Sequence, residues 1–144
     1  MIVGTRHTGL VVKDIEASIR FYEGMGLKVW KQEVEEGQFI STVVGIPEVR
    51  IETAKLRAPD GSLLELLQYH SHPPSCDEID APSNRHGCSH VAFSVQNLDD
   101  ACEKVVSQGG TVVNDPTINP AKTVKVAYCH DIDGILLELV QELS

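Results

Sequence analysis

Four residues of this chain could do chemistry together: His7, Glu65, His90 and Glu138. They belong to two copies of one pattern. His7 opens Thr8-Gly9-Leu10-Val11-Val12, and His90 opens Val91-Ala92-Phe93-Ser94-Val95. Asp60-Gly61-Ser62-Leu63-Leu64-Glu65-Leu66 recurs as Asp133-Gly134-Ile135-Leu136-Leu137-Glu138-Leu139. Two imidazoles and two carboxylates form a donor set for a divalent metal that keeps positions open for a substrate. In a strand, residues i and i+2 share a face, so Glu65 points with Leu63 and Leu67, in a segment with no other charge. Burying an unpaired carboxylate costs on the order of several kcal/mol, so each Glu must find a cation or take a proton. Satisfied structural salt bridges are the alternative to a metal. Duplication accounts for two such Glu, but not for both staying charged beside two His, and a shared metal is the preferred reading.

His70, His72, His86 and His130 have no counterpart in the other copy and read as loop or surface residues. His70 and His72 follow the Glu65 strand and could reach a pocket mouth. Cys76, Cys88, Cys102 and Cys129 form no Cys-x-x-Cys and match no repeat position, which points to reduced thiols rather than a zinc knuckle or disulfide framework.

The elements that must position these residues follow the repeat. Val and Leu-rich stretches at 6–13 and 89–95 read as strands. Asp14 and Asn97 read as N-caps of helices, with Ile15, Ile19, Tyr22 and Met25 at helical spacing in the first and Leu98, Ala101 and Val105 in the second. Gly24 and Gly26 end one helix, Gly109-Gly110 the other. Strands are predicted at 27–34, 49–57, 63–69, 111–113, 124–130 and 135–140, and a loop at 114–123 around Pro116 and Pro120. Residues 37–47 suit a short helix as well as a strand, because Phe39, Ile40, Val43 and Val44 satisfy both periods. The expected fold is α+β: two βαβββ modules (1–69 and 88–144, joined by a linker at 70–87) in a single domain, with a curved mixed sheet around a metal-binding cleft.

At 144 residues with 42% apolar side chains the chain can bury a core. Its formal charge of -9, with scattered Lys and Arg, argues against nucleic-acid partners. No stretch looks like a signal peptide, and no apolar run approaches the ~18 residues that span a bilayer. A cytoplasmic protein with no membrane partner is expected.

The strand-opening His before a Val-x-Asp-Ile helix start, Phe21-Tyr22 followed by Gly26-Leu27 at the helix end, and Asp-Gly-x-x-x-Glu near each module's end together resemble the vicinal oxygen chelate superfamily. That superfamily groups glyoxalase I, fosfomycin and bleomycin resistance proteins, methylmalonyl-CoA epimerase and extradiol dioxygenases. The resemblance covers essentially the whole chain. It implies one divalent ion (Zn, Ni, Co, Mn or Fe) held by His7, Glu65, His90 and Glu138, a small-molecule substrate and a homodimer.

Within that family the preferred reading is a metal-dependent lyase or isomerase of the glyoxalase I type. Glu65 and Glu138 would be the bases that move a proton on a substrate with adjacent oxygens. An Fe(II) extradiol-type dioxygenase on His7, His90 and Glu138 and a non-catalytic small-molecule binder are the alternatives. The epimerase pattern has Gln where Glu65 stands and a separate base that would fall near Ile40 or Ser41. Glutathione-dependent relatives carry Arg four residues after the first His, where this chain has Val11; Arg6, on strand alternation, would face away from His7. Losing one charge-assisted carboxylate contact costs about 1.5–3 kcal/mol, or roughly ten- to a hundredfold in affinity. Steady-state turnover of methylglyoxal with glutathione is therefore expected to be weak or absent. Turnover like that of a dedicated glyoxalase would show that other cations replace the missing Arg.

Overall fold

The apolar repeat segments sit inside their sheets, each flanked on both sides by other strands. The computed structural model describes residues 1–74 and 82–143, and the chain divides into two units, Met1–Asp77 and Glu78–Ser144. Unit one runs β1 (Thr8–Val11), α1 (Ile15–Gly24), β2 (Lys28–Glu36), α2 (Gln38–Val44), β3 (Arg50–Arg57) and β4 (Leu63–Tyr69). Its sheet order is β1-β4-β3-β2, with β1 parallel to β4 and the other pairs antiparallel. Unit two runs β5 (Val91–Ser94), α3 (Leu98–Ser107), β6 (Thr111–Val112), β7 (Thr117–Ile118), β8 (Val124–His130) and β9 (Leu136–Glu142). Its order is β5-β9-β8-β6, β7 also pairs with β8, and β5 is parallel to β9. The expected α+β class with mixed sheets is what the chain forms.

α1 and α3 each start through a side chain on an interior strand as well as through their own cap. Asp14 Oδ1 accepts from Ala17 N at 3.0 Å, and Gln68 Oε1, on β4, accepts from Ile15 N at 2.9 Å. Unit two repeats this: Asn97 Oδ1 accepts from Asp99 N and Asp100 N, and Gln141 Oε1, on β9, accepts from Leu98 N at 2.8 Å. These bonds satisfy helix-start amides that would otherwise be orphaned. Ile15, Ile19 and Tyr22 are buried, as are Leu10, Val12, Ala54, Leu56, Leu64 and Leu66 on or beside the strands.

The ambiguous stretch resolves as α2. Ile40 packs with Val49 and Ile51, joined by Val44, Ile46, Leu67 and Tyr69, so tertiary packing chose the helical period over the strand period. Gly37 and Gly45, at φ of 102° and 72°, bound it in conformations that favour glycine. The predicted loop at 114–123 is corrected in part. Thr117 and Ile118 form β7 against Val126 and Lys125. Between β6 and β7, Asn114 Oδ1 accepts from Tyr128 N at 2.8 Å, doing side-chain duty for the broken ladder. β6 and β7 together thus occupy the place β2 holds in unit one. The Gly109-Gly110 pair does more than stop α3: a Cβ on Gly110 would meet His130 O at 2.5 Å. The linker at 70–87 is described only at its ends, and Cys76 lies outside the described residues. No helix among the described residues is long and apolar enough to cross a membrane.

Gln68→Leu keeps the bulk but strands the Ile15 amide. The expected loss is about 1–3 kcal/mol of unfolding free energy; an unchanged denaturation midpoint and slope would show that the bond contributes nothing.

Candidate metal centre

Each unit brings its His to its Glu by the same backbone device. In the parallel pair β1–β4, Gly9 lies directly across from Glu65; in β5–β9, Ala92 lies across from Glu138. His7 and His90 stand two residues before these small residues, just ahead of β1 and β5, and their Nε2 atoms come within 3.7 and 3.0 Å of the Glu carboxylates. Gly9 leaves room for Leu67, whose Cδ1 a Cβ there would meet at 3.3 Å. That Gly/Ala equivalence is a signal in the repeat that the His and Glu motifs alone do not include.

In unit two, His90 Nε2 is 3.0 Å from Glu138 Oε2. Ser89 Oγ donates to Ser83 O at 2.6 Å, which leaves it to accept from His90 Nδ1 at 3.0 Å. That bond puts the hydrogen of a neutral ring on Nδ1 and presents the Nε2 lone pair to Glu138, which is how a metal-ligating His is held. Two lone pairs do not face each other at this distance without a cation or a proton between them. Tyr128, directly across from Glu138 on β8, sets its ring edge-on to His90 with centroids 5.1 Å apart. Burial, and then the Glu138 charge, push the Tyr128 phenol up from its ordinary pKa, so it stays a neutral donor.

In unit one, His7 Nε2 is 3.7 Å from Glu65 Oε2, too far for a hydrogen bond. Two metal–ligand bonds of about 2.1 Å, meeting at tetrahedral or octahedral angles, would set the donors roughly 3.0–3.4 Å apart. The observed pairs at 3.0 and 3.7 Å therefore lie at and just beyond that range. His7 Nδ1 is buried and has no hydrogen-bond partner among the described residues. An imidazole so loosely tied, beside a carboxylate that is 12% exposed, suits a ring that a cation would draw in. Each His–Glu pair offers two donors suited to a divalent ion, and no group of three or more His, Cys, Asp or Glu that could hold one is formed among the described residues.

Glu65 does have a neighbouring charge, contrary to the expectation from its own strand. Lys55, directly across on β3, places Nζ 3.6 Å from Glu65 Oε2. A cross-strand neighbour depends on register, which strand sequence alone does not fix. The cation stands only in unit one; Tyr128 takes that position in unit two.

Other expectations are corrected. Arg6 does not face away from His7: both line one cavity, together with Trp30 and Lys55, because residues 6 and 7 precede β1 and strand alternation does not apply there. His70 is exposed, as expected of a surface residue. Its Nε2 lies 2.8 Å from Glu52 Oε2, on the sheet face that Gln68 shares, and hydrogen bonds from His70 and then Gln32 hold the Glu52 carboxyl below the usual range. His130 is buried, with Nδ1 3.5 Å from Thr111 Oγ1, not a surface residue. His72 and His86 are exposed, as expected. Cys102 and Cys129 are buried free thiols; burial pushes Cys129 up to about 12 and also raises Cys102, so neither offers a thiolate at neutral pH.

The model of the Glyoxalase/Bleomycin resistance protein/Dioxygenase superfamily matches residues 4–139. A lactoylglutathione lyase of Neisseria meningitidis serogroup B is 32% identical over 140 residues, covering 96% of this chain and 90% of the relative. A probable lactoylglutathione lyase of Synechocystis is 28% identical over 141 residues, covering 96% and 95%. A solved glyoxalase family protein of Bacillus cereus, 26% identical, superposes with a TM-score of 0.93 over 100% of this chain and 97% of its own. The repeated His and Glu, the paired mixed sheets and these likenesses agree: the chain belongs to the Glyoxalase/Bleomycin resistance protein/Dioxygenase superfamily, the vicinal oxygen chelate group that its motifs resemble.

Proposed function

We propose that this chain is a metal-dependent lyase or isomerase of the glyoxalase type, acting by proton transfer on a small substrate with adjacent oxygens. The observation that carries the reading is the repeated juxtaposition of His and Glu, Nε2 to Oε2, in both units. The relatives named lactoylglutathione lyase support the reaction class. His7, Glu65, His90 and Glu138 would hold one divalent ion per set, which would supply Lewis acidity toward a substrate carbonyl oxygen.

The chain's own part is proton handling. One of Glu65 and Glu138 accepts the proton from the C–H next to the carbonyl, and a carboxylate returns it to the neighbouring carbon. Ser89 fixes the His90 ring and its tautomer. Tyr128 keeps its proton and packs the other side of that ring. Leu63 and Leu67, both half-buried, flank Glu65 on its face of β4 and give it apolar neighbours on its own strand.

One observation favours a second reading. Lys55 faces Glu65 and could hold it off the ion. His7, His90 and Glu138 would then remain as the three-residue set of an oxygen-using enzyme.

Glu65→Gln separates the two. Metal should stay, while exchange of the substrate C–H with solvent deuterium falls by a factor of about 10²–10⁴. Oxygen uptake with a catechol that persists in this variant, without any C–H exchange in the parent protein, would replace the lyase by a dioxygenase.

His90→Ala should lose the ion, seen by elemental analysis after dialysis, and melt at a lower temperature than the loaded parent. Undiminished metal in that variant would remove His90 from the set.

A further inference from the structure

We propose that unit one carries a built subsite for an oxyanion group of the substrate, formed by Arg6 and Lys55 against the ring of Trp30. An open cavity of about 630 Å³ lies beside His7 and is lined by Arg6, Trp30, Lys55 and Leu63. That volume suits a small molecule. The chain as a whole carries a formal charge of -9, so two cations on one cavity wall are not what composition would place there. They are also absent from the duplicate. The residue across from Glu138 is Tyr128 where Lys55 faces Glu65, and the residue before His90 is Ser89 where Arg6 precedes His7. The His and the Glu stand in both copies; the cations stand at these positions in unit one alone.

Lys55 is held at a cost. Lys31 lies directly across from it on β2, and like charges in that position repel. Lys31 is drawn off by Glu33 at 2.9 Å, while Lys55 makes a long 3.6 Å approach to Glu65. When Glu65 is engaged as a ligand, that approach weakens and the Lys55 charge is left to face the cavity. No ion pair to Arg6 is formed among the described residues. Trp30 is 52% exposed on the wall, and the Arg57 guanidinium sits 4.7 Å over its ring, which fixes the ring and adds positive charge behind it. An oxyanion on Arg6 and Lys55, with its carbon frame against Trp30 and Leu63, would leave the other end of the molecule next to His7 and Glu65. This deepens the glyoxalase-type reading by giving its substrate a charged end, and it rests on that reading only for what happens at the carbonyl.

Trp30 is the only tryptophan in the chain, so its fluorescence reads this cavity without any turnover. Metal-loaded protein is titrated at constant ionic strength with lactate as the carboxylate probe and with inorganic phosphate as the phosphoryl probe. Saturable change with either is expected, and the tighter probe identifies which oxyanion the site takes. Lys55→Met, which keeps the stem, and Arg6→Gln, which alters only an exposed segment before β1, should each weaken binding about tenfold or more. Thermal melts and metal content of both variants show whether the fold and the ion are kept. No saturable response in the parent protein overturns the subsite. So does unchanged binding in both variants, which would leave Lys55 as a counter-ion of Glu65 alone. Loss of C–H exchange with binding intact would instead sink the lyase reading and leave the subsite standing.

Discussion

The position of both candidate ligands on the central strands depends on a hydrogen bond made three residues further on. Glu65 and Gln68, and again Glu138 and Gln141, are separated by an odd number of residues, so they lie on opposite faces of β4 and β9. Each Gln accepts from the first amide of a helix, at 2.9 and 2.8 Å. A slip of one residue would carry the Gln away from the helix and the Glu into the apolar layer beneath it. The helix start therefore works as a register lock: it decides which face the carboxylate occupies, and the parallel neighbour strand then brings the His alongside.

The two units use the same frame for unequal surroundings. His90 is oriented through Ser89 and backed by Tyr128, whereas His7 has a buried nitrogen without a partner among the described residues and a lysine sharing its carboxylate. One imidazole is held by its neighbours and the other is held loosely. In a duplicated chain such differences are informative, because the common ancestor of the halves could not have supplied both.

Much of this frame is legible in the amino-acid sequence. β4 and β8 coincide with their predicted ranges, since turn residues and apolar runs mark their ends. The caps Asp14 and Asn97 are legible for the same local reason. What is not legible depends on partners distant in sequence. α2 is chosen by the packing of Ile40 on Ile51, not by its own period. β7 is two residues between prolines, held by β8 rather than by propensity. Lys55 becomes a neighbour of Glu65 only through the β3–β4 register. Arg6 lies beyond the start of β1, where alternation no longer tells one side from the other. The His and Glu themselves stand out because they recur, and repetition is a signal that needs no knowledge of the fold.

The last strands of the two sheets are guarded against stray pairing in different ways. β2 is nine residues long and mostly exposed, and bears Lys28, Lys31, Glu33, Glu35 and Glu36. Such a strand offers a row of amides to any other chain, and its charges are what discourage the match. In unit two the same place is interrupted at Asn114-Asp115-Pro116, so no comparable row exists. One edge is protected by charge, which salt screens and a single substitution can erase. The other is protected by the covalent ring of a proline, which no change of solvent can undo.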